Sequence, residues 1–109
     1  MARFDTREAE IVLSNHARRV ISERGVRKGL LKEAIAKADY RFYDREQNVL
    51  VAMKRIELKG RVAGLVVIYT VTDNKAKIVT VYPSKDYVTY LQRKVNRGRW
   101  TPLHMEKGS

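Results

Sequence analysis

Apolar residues recur at helical spacing in two consecutive segments near the start of the chain, Asn15–Arg24 and residues 28–38. Ser14 directly precedes the first segment and is a residue type that caps helix N-termini. Gly25 follows that segment, in the place where a left-handed glycine ends a helix. Ahead of both, the apolar-rich Glu10–Leu13 is compatible with a short strand. The residues that form the apolar stripes of the two predicted helices are Ala17, Val20, Ile21, Leu30, Leu31, Ala34, Ile35 and Ala38.

After Asp39 the pattern changes from helical to extended, with runs of aromatic and β-branched residues separated by turn residues. The predicted strands are Tyr40–Asp44, Val49–Leu58, residues 62–72 and residues 77–82. Pro83 lacks the N–H of a strand ladder and is predicted to end the last strand. Ser84 then caps a third predicted helix, residues 85–95, with Asp86 in its first turn. Two helices, an antiparallel meander and one further helix predict an α+β fold.

Length and composition fit one globular domain, because the chain has 109 residues, 44% of them apolar, and no repeat or flexible linker. We expect a single domain over residues 1–103 and a disordered tail or expression remnant over residues 104–109, which includes His104. The chain has no cysteine, no apolar run of the roughly 20 residues that a membrane helix needs, and no secretory signal pattern. These features predict a cytoplasmic protein.

The charge of the chain is strongly unbalanced, with 23 Lys and Arg against 12 Asp and Glu and a formal net charge of +11. A compact domain with this excess repels itself, so a polyanionic partner is a reason to retain it. Nucleic acid, and RNA in particular, is the first candidate, an anionic membrane surface the second and an acidic protein the third. The alternative is a highly charged, thermophile-like surface without such a ligand.

His16 falls in the first turn of the first predicted helix, at the edge of its apolar stripe. An imidazole titrates near neutral pH and can take up and return a proton during a reaction. The alternative is a histidine that packs its ring and makes local hydrogen bonds. His16 and His104 are far apart, and neither has a carboxylate or thiolate at ligand spacing, so we expect no metal site and no cofactor.

Two pairs of residues on the predicted strands add candidate chemistry. Thr80 and Tyr82 alternate onto one face of the last strand, together with Ile78. Their hydroxyls would hydrogen-bond a phosphate or a ribose 2′-hydroxyl, or else pack against neighbouring strands. Lys54 and Arg55 point to opposite faces, so one of them displays a cation on the sheet, where it can stabilise a phosphorane-like transition state. A solvated face is the alternative for either cation.

Basic residues are concentrated on the third predicted helix, its tail and the first helix, with tyrosines and Trp100 between them. This interleaving is typical of a surface that follows a nucleic-acid backbone. The residues predicted to contact RNA are Arg18, Arg19, Arg55, Lys85, Arg93, Lys94, Arg97 and Arg99.

Short motifs follow one another in a specific order over residues 9–101. They are Ser14-Asn15-His16-Ala17-Arg18, then Arg24-Gly25-Val26, then Val66-Val67-Ile68-Tyr69, then Ile78-Val79-Thr80-Val81-Tyr82-Pro83, and finally Gly98-Arg99-Trp100. In this order they resemble a family of small bacterial and archaeal proteins related to the BrnT and RelE toxins, within the barnase–EndoU–colicin–RelE group of ribonucleases. The chain departs from many relatives at Val20, where they carry an arginine.

The resemblance implies two N-terminal helices packed on a four-stranded antiparallel sheet, followed by a C-terminal helix, with RNA on the open side of the sheet. It implies a toxin-like, metal-independent endoribonuclease in which the ribose 2′-hydroxyl attacks the adjacent phosphate. The residues that it places in the site are His16, Arg24, Lys54, Thr80 and Tyr82. An acidic or DNA-binding antitoxin is the implied partner. A non-catalytic nucleic-acid-binding module and an interaction domain for an acidic protein are the alternatives.

Overall fold

A computed structural model of the chain describes residues 10–103. The predicted tail at residues 104–109, with His104, lies outside the described residues, as do residues 1–9 of the predicted domain. The helices are α1 (Asn15–Arg24), α2 (Lys28–Ala36) and α3 (Tyr87–Asn96). The strands are β1 (Glu10–Leu13), β2 (Tyr40–Asp44), β3 (Val49–Leu58), β4 (Arg61–Thr72), β5 (Lys75–Ser84) and β6 (Trp100–Pro102).

In the described residues the strands form one six-stranded mixed sheet in the order β1-β5-β4-β3-β2-β6. β1 pairs in parallel with β5, and all other pairs are antiparallel. The domain is α+β, but the prediction of two N-terminal helices on a four-stranded antiparallel sheet is wrong. The two additional strands are short edge strands of four and three residues. The strand expected at Glu10–Leu13 is confirmed as β1, although its pairing with the remote β5 was not predicted. β6 was not predicted, because a run of three residues is too short to establish a period.

The sheet is covered by helices on both faces. α1 and α2 pack on one face, and α3 packs on the other. The α1/α2 core includes Ala17, Leu31, Ile35, Leu65, Val67, Ile78 and Val81. The α3 core includes Phe42, Val51, Met53, Val66, Ile68, Leu91 and Trp100. β4 lies between the two cores and is buried on both faces, which explains its nearly unbroken apolar sequence.

The ends of the first two helices have local causes. The Ser14 hydroxyl accepts the backbone N–H of Ala17, and Gly25 ends α1 with a left-handed φ of 69°. Helix α2 ends at Ala36, two residues before the predicted end. Arg41 donates from its guanidinium to the carbonyls of Ile35 and Ala36, so these last carbonyls are satisfied without another helical turn.

The predictions for the end of β5 are wrong at two positions. The strand continues through Pro83, which pairs with Leu65, and ends at Ser84. Proline is tolerated there because β1 stops opposite Ile78, so that among residues 10–103 the rest of β5 pairs with β4 alone and is an edge strand. Ser84 therefore lies in the strand and does not cap α3. Asp86 occupies the N-cap position instead, without a side-chain hydrogen bond to the helix.

A bulge in β5 changes which side chains share a face. Ile68 pairs with Thr80, whereas the next residue, Tyr69, pairs with Ile78, so Val79 is the additional residue. The prediction that Ile78 shares a face with Thr80 is therefore wrong. Ile78 is buried in the α1/α2 core, and Thr80 lies on the α3 side of the sheet.

Candidate nucleic-acid interface

The imidazole of His16 meets the hydroxyl of Thr80 at the open edge of β5. The His16 Nε2 atom lies 3.3 Å from Thr80 Oγ1, and either atom donates according to the tautomer of the ring. His16 is exposed, and Thr80 is half-buried. The imidazole is therefore outside the hydrophobic core and accessible to a large substrate.

The start of α1 is attached to β5 by Ser14. Its backbone N–H donates to the Ile78 carbonyl at 3.2 Å, and its hydroxyl donates to the Val79 carbonyl at 3.3 Å. The same hydroxyl oxygen accepts from Ala17 N at 3.0 Å. α1 packs on the face of the sheet opposite to the α3 side, on which Thr80 lies, so the contact between His16 and Thr80 passes around the open edge of β5. Ser14 thus fixes the start of α1 at the edge where the imidazole meets the hydroxyl.

Arg24, at the other end of α1, contacts the residue of β5 that follows Thr80. Its Nη1 atom donates to the Val81 carbonyl at 3.3 Å. An arginine carries five N–H donors, so this contact occupies a fraction of its capacity. His16 and Arg24 therefore contact consecutive residues of β5. We call His16, Arg24 and Thr80 the β5-edge site.

Tyr82 lies on the same face as Thr80 but has a different environment. It packs at the border of the α3 core, and its hydroxyl is hydrogen-bonded to the hydroxyl of Tyr90. Burial raises the pKa of Tyr82, and the hydrogen bond to Tyr90 raises it further. The phenol therefore stays protonated at all ordinary pH values. It borders the β5-edge site and contributes to the packing of α3.

The structure does not bring Lys54 into the β5-edge site. Lys54 pairs with Leu65 in the sheet, and its Nζ atom lies 3.9 Å from a carboxylate oxygen of Glu33 on α2. Arg55 pairs with Gly64 and is exposed. The two cations do point to opposite faces, but neither has a contact with His16 or Thr80 among the described residues.

The basic residues predicted to bind RNA fall into three groups. Arg18, Arg19, Arg93 and Arg97 are exposed on the helices or directly after them, and Lys85 is exposed directly after β5. The Lys94 ammonium lies over two rings, 5.6 Å from the centroid of Tyr90 and 5.4 Å from that of Trp100. Arg99 pairs with carboxylates, with Nε 3.2 Å from Asp44 Oδ2 and Nη1 3.6 Å from Glu46 Oε1. Its charge is therefore already balanced within the fold.

Asp44, a buried carboxylate at the centre of the α3 side, was not singled out from the sequence. It is 1% exposed and accepts hydrogen bonds from Trp100 Nε1 and Arg99 Nε, and from the backbone of Glu46 and Gln47. Burial alone raises the pKa of Asp44, but the Gln47 N–H, Arg99 and Trp100 together hold it below its ordinary value. An aspartate that begins a polar turn is a recognisable signal for the two backbone bonds. The sequence contains no signal for the bonds to residues 99 and 100.

No family model, curated protein or solved structure matches this chain. Within residues 10–103, no helix is both long and apolar enough to cross a membrane. In the same residues, no three His, Asp or Glu side chains are grouped closely enough to hold a metal ion.

Proposed function

We propose that the chain is an endoribonuclease whose reaction takes place at the β5-edge site. The observation that carries the proposal is the 3.3 Å contact between His16 Nε2 and Thr80 Oγ1 on an open strand edge, beside the guanidinium of Arg24. An imidazole, a hydroxyl and a guanidinium are the groups that phosphoryl transfer at neutral pH uses. The net charge of +11 supports a polyanionic substrate.

The reaction is an attack by the substrate on itself. The ribose 2′-oxygen bonds to the adjacent phosphorus, and the bond from phosphorus to the 5′-oxygen breaks, leaving a cyclic phosphate and a free 5′-hydroxyl. His16 takes the proton of the 2′-hydroxyl and returns it to the leaving oxygen, a role worth about 10²–10⁴-fold in rate. Because the nucleophile belongs to the RNA, the protein has to supply a proton carrier and charge stabilisation.

Thr80 and Arg24 have separate roles in this proposal. The Thr80 hydroxyl orients the imidazole and hydrogen-bonds a phosphate oxygen when RNA is bound. Arg24 keeps its contact with the Val81 carbonyl and directs its remaining N–H groups towards the phosphate. The exposed cations Arg18 and Arg19 lie on the same helix as His16 and extend the charged surface for the RNA backbone.

Incubation of the purified protein with end-labelled RNA in EDTA tests the proposal. We expect cleavage by the wild type, cleavage slowed by about 10²–10⁴-fold in His16→Ala, and cleavage at the wild-type rate in His104→Ala, which removes the other histidine of the chain. Cleavage by His16→Ala at the wild-type rate would contradict the assignment.

One observation favours a second candidate, a non-catalytic nucleic-acid-binding module. Among the described residues, the contact with Thr80 is the one hydrogen bond of the His16 ring, so no carboxylate orients the imidazole. This candidate predicts RNA binding without cleavage, with an affinity that falls steeply as salt is raised. A cytoplasmic location and an acidic or DNA-binding antitoxin remain predictions that accompany the first candidate.

A further inference from the structure

A second cationic groove lies where the β3–β4 hairpin approaches the end of β5. Its volume is about 410 Å³, and its lining consists of Lys59, Arg61, Val62, Ala63 and Lys85. Lys59 and Arg61 belong to the same hairpin, in its turn and at the start of β4, and Lys85 comes from the loop after β5. The fold therefore brings a cation 24 positions further along the chain next to the hairpin pair.

The charges of the groove are not balanced by its own lining. No carboxylate is among its lining residues in the described part of the chain. Glu57, which is opposite Val62 in the ladder, and Asp86, which follows Lys85, both lie outside the lining. Like charges held together destabilise a compact domain, and a bound anion removes that cost.

The turn and one apolar residue give the groove a defined shape. Lys59 and Gly60 both have positive φ values, 52° and 78°, as in the tight turns that close two-residue hairpins. Val62 is 56% exposed although it lies on a strand. An exposed valine between cations offers an apolar surface to a ribose or a base, next to groups that bind phosphate.

One residue of the groove, Lys85, directly follows β5, the strand that carries Thr80 of the β5-edge site. Lys85 follows Thr80 by five positions, and at about 3.3 Å per residue the two are separated by about 16 Å along the strand direction. A nucleic-acid strand rises about 3.4 Å per nucleotide when stacked, so this distance corresponds to about five nucleotides. Arg24, which contacts Val81, lies along this path.

We propose that the groove of Lys59, Arg61 and Lys85 binds the backbone phosphates of the RNA segment flanking the cleaved bond. The inference rests on the proposed function for the identity of the polyanion. It adds that substrates must extend about five nucleotides beyond the reacting phosphate to bind fully. An RNA of three nucleotides then contacts the β5-edge site alone, and an RNA of ten nucleotides contacts both the β5-edge site and the groove.

Binding of uncleavable RNA tests the groove without requiring catalysis. Fluorescein-labelled 2′-O-methyl RNAs of three and ten nucleotides are titrated with protein at several salt concentrations, and fluorescence anisotropy measures binding. The variants are wild type, the triple variant K59A/R61A/K85A, and the charge-matched control K28A/K32A/K37A on and directly after α2. All six substituted residues are exposed, and thermal unfolding confirms that each variant is folded.

For the RNA of ten nucleotides, we expect K59A/R61A/K85A to reduce the magnitude of the slope of log K against log salt by up to about 2, because up to three phosphate contacts of a single strand are lost. The slope for the three-residue RNA should not change. If K59A/R61A/K85A and K28A/K32A/K37A reduce the slope equally, the groove is not a specific binding site, because only the total charge of the protein would then determine binding. If K59A/R61A/K85A reduces the salt dependence of binding to the RNA of ten nucleotides but the wild type cleaves no RNA, the groove is supported as an RNA-binding site and the endoribonuclease is refuted.

Discussion

The indole Nε1 of Trp100 donates a hydrogen bond to Asp44 Oδ2 at 3.2 Å, across 56 residues of sequence, in the buried centre of the α3 side. This bond joins β6 to β2 and gives the three-residue strand a side-chain anchor in addition to its ladder. The same carboxylate holds Arg99. Asp44 is therefore the residue on which the C-terminal part of the fold depends.

Asp44→Ala is expected to lower the free energy of unfolding by about 2–4 kcal/mol, because the Trp100 donor and the turn amides lose a buried acceptor. Urea denaturation measures this change. Glu46→Ala is the control, since Glu46 pairs with the same arginine but its side chain is 72% exposed, and we expect a loss below about 0.5 kcal/mol. Equal losses in the two variants would contradict the role given to Asp44.

Asp44 also predicts how stability depends on pH. Its pKa in the folded state is below the ordinary value of 3.8, so the unfolded chain takes up a proton at this group first as pH falls. The stabilisation from Asp44 is therefore fully present above 3.8 and is lost as pH decreases through the folded-state pKa. The difference in unfolding free energy between wild type and Asp44→Asn should shrink between pH 6 and pH 2. If this difference in unfolding free energy grows as pH falls, the pKa of Asp44 is not lowered in the folded state.

Gly64 marks the closest approach of α3 to the sheet. A Cβ atom at this position would lie 2.7 Å from Met53 Sδ and 2.7 Å from the Cβ atom of Tyr87. Gly64→Ala is therefore expected to destabilise the protein by about 1–3 kcal/mol through overpacking. Gly29→Ala, in an open position on α2, should instead stabilise by about 0.5–1 kcal/mol. Thermal or urea unfolding of the two variants measures both changes in the free energy of unfolding, which should have opposite signs.

The sequence predicts elements well where the cause is local and poorly where it is not. The bounds of α1, its serine cap and its glycine end are confirmed, because capping and periodicity are properties of neighbouring residues. The bulge at Val79 and the pairing of Glu10–Leu13 with β5 depend on how distant segments meet. No local pattern predicts these pairings.

The same distinction between local and long-range causes decides which features of the candidate site the sequence predicts. The alternation of Thr80 and Tyr82 on one strand face follows from strand geometry and is confirmed. The proximity of His16 to Thr80 depends on where α1 begins relative to an edge strand, which the fold determines. The sequence did not distinguish Lys54 from Arg55, because the ion pair of Lys54 with Glu33 requires the packing of α2 on β3.

Arg24 allows a test of charge stabilisation in the proposed reaction. Arg24→Ala should lower the cleavage rate constant by about 10²–10³-fold, as expected when a donor to the transition state is removed. Arg24→Lys retains the charge but not the fork of donors, and should recover part of the rate. Single-turnover kinetics on one RNA measures both. Arg19→Ala, on an exposed position of the same helix, should affect binding at low RNA concentration and leave the saturated rate unchanged.

Thr80→Val tests the hydroxyl in the contact with His16 at nearly constant volume. Loss of one hydrogen bond of about 1 kcal/mol predicts a rate reduction of roughly 5–10-fold. Thr72→Val on β4 is the control, since Thr72 is exposed at the far end of the sheet. A Thr80→Val protein with the wild-type rate would remove Thr80 from the site.

The role of His16 as proton carrier is measured by the single-turnover cleavage rate of His16→Ala in EDTA, together with the chemical ends of the products. We expect the wild type to leave a cyclic phosphate and a 5′-hydroxyl. We expect His16→Ala to be about 10²–10⁴-fold slower while remaining folded. A variant that cleaves at the wild-type rate, or wild-type products that carry a 5′-phosphate, would contradict the proposed reaction.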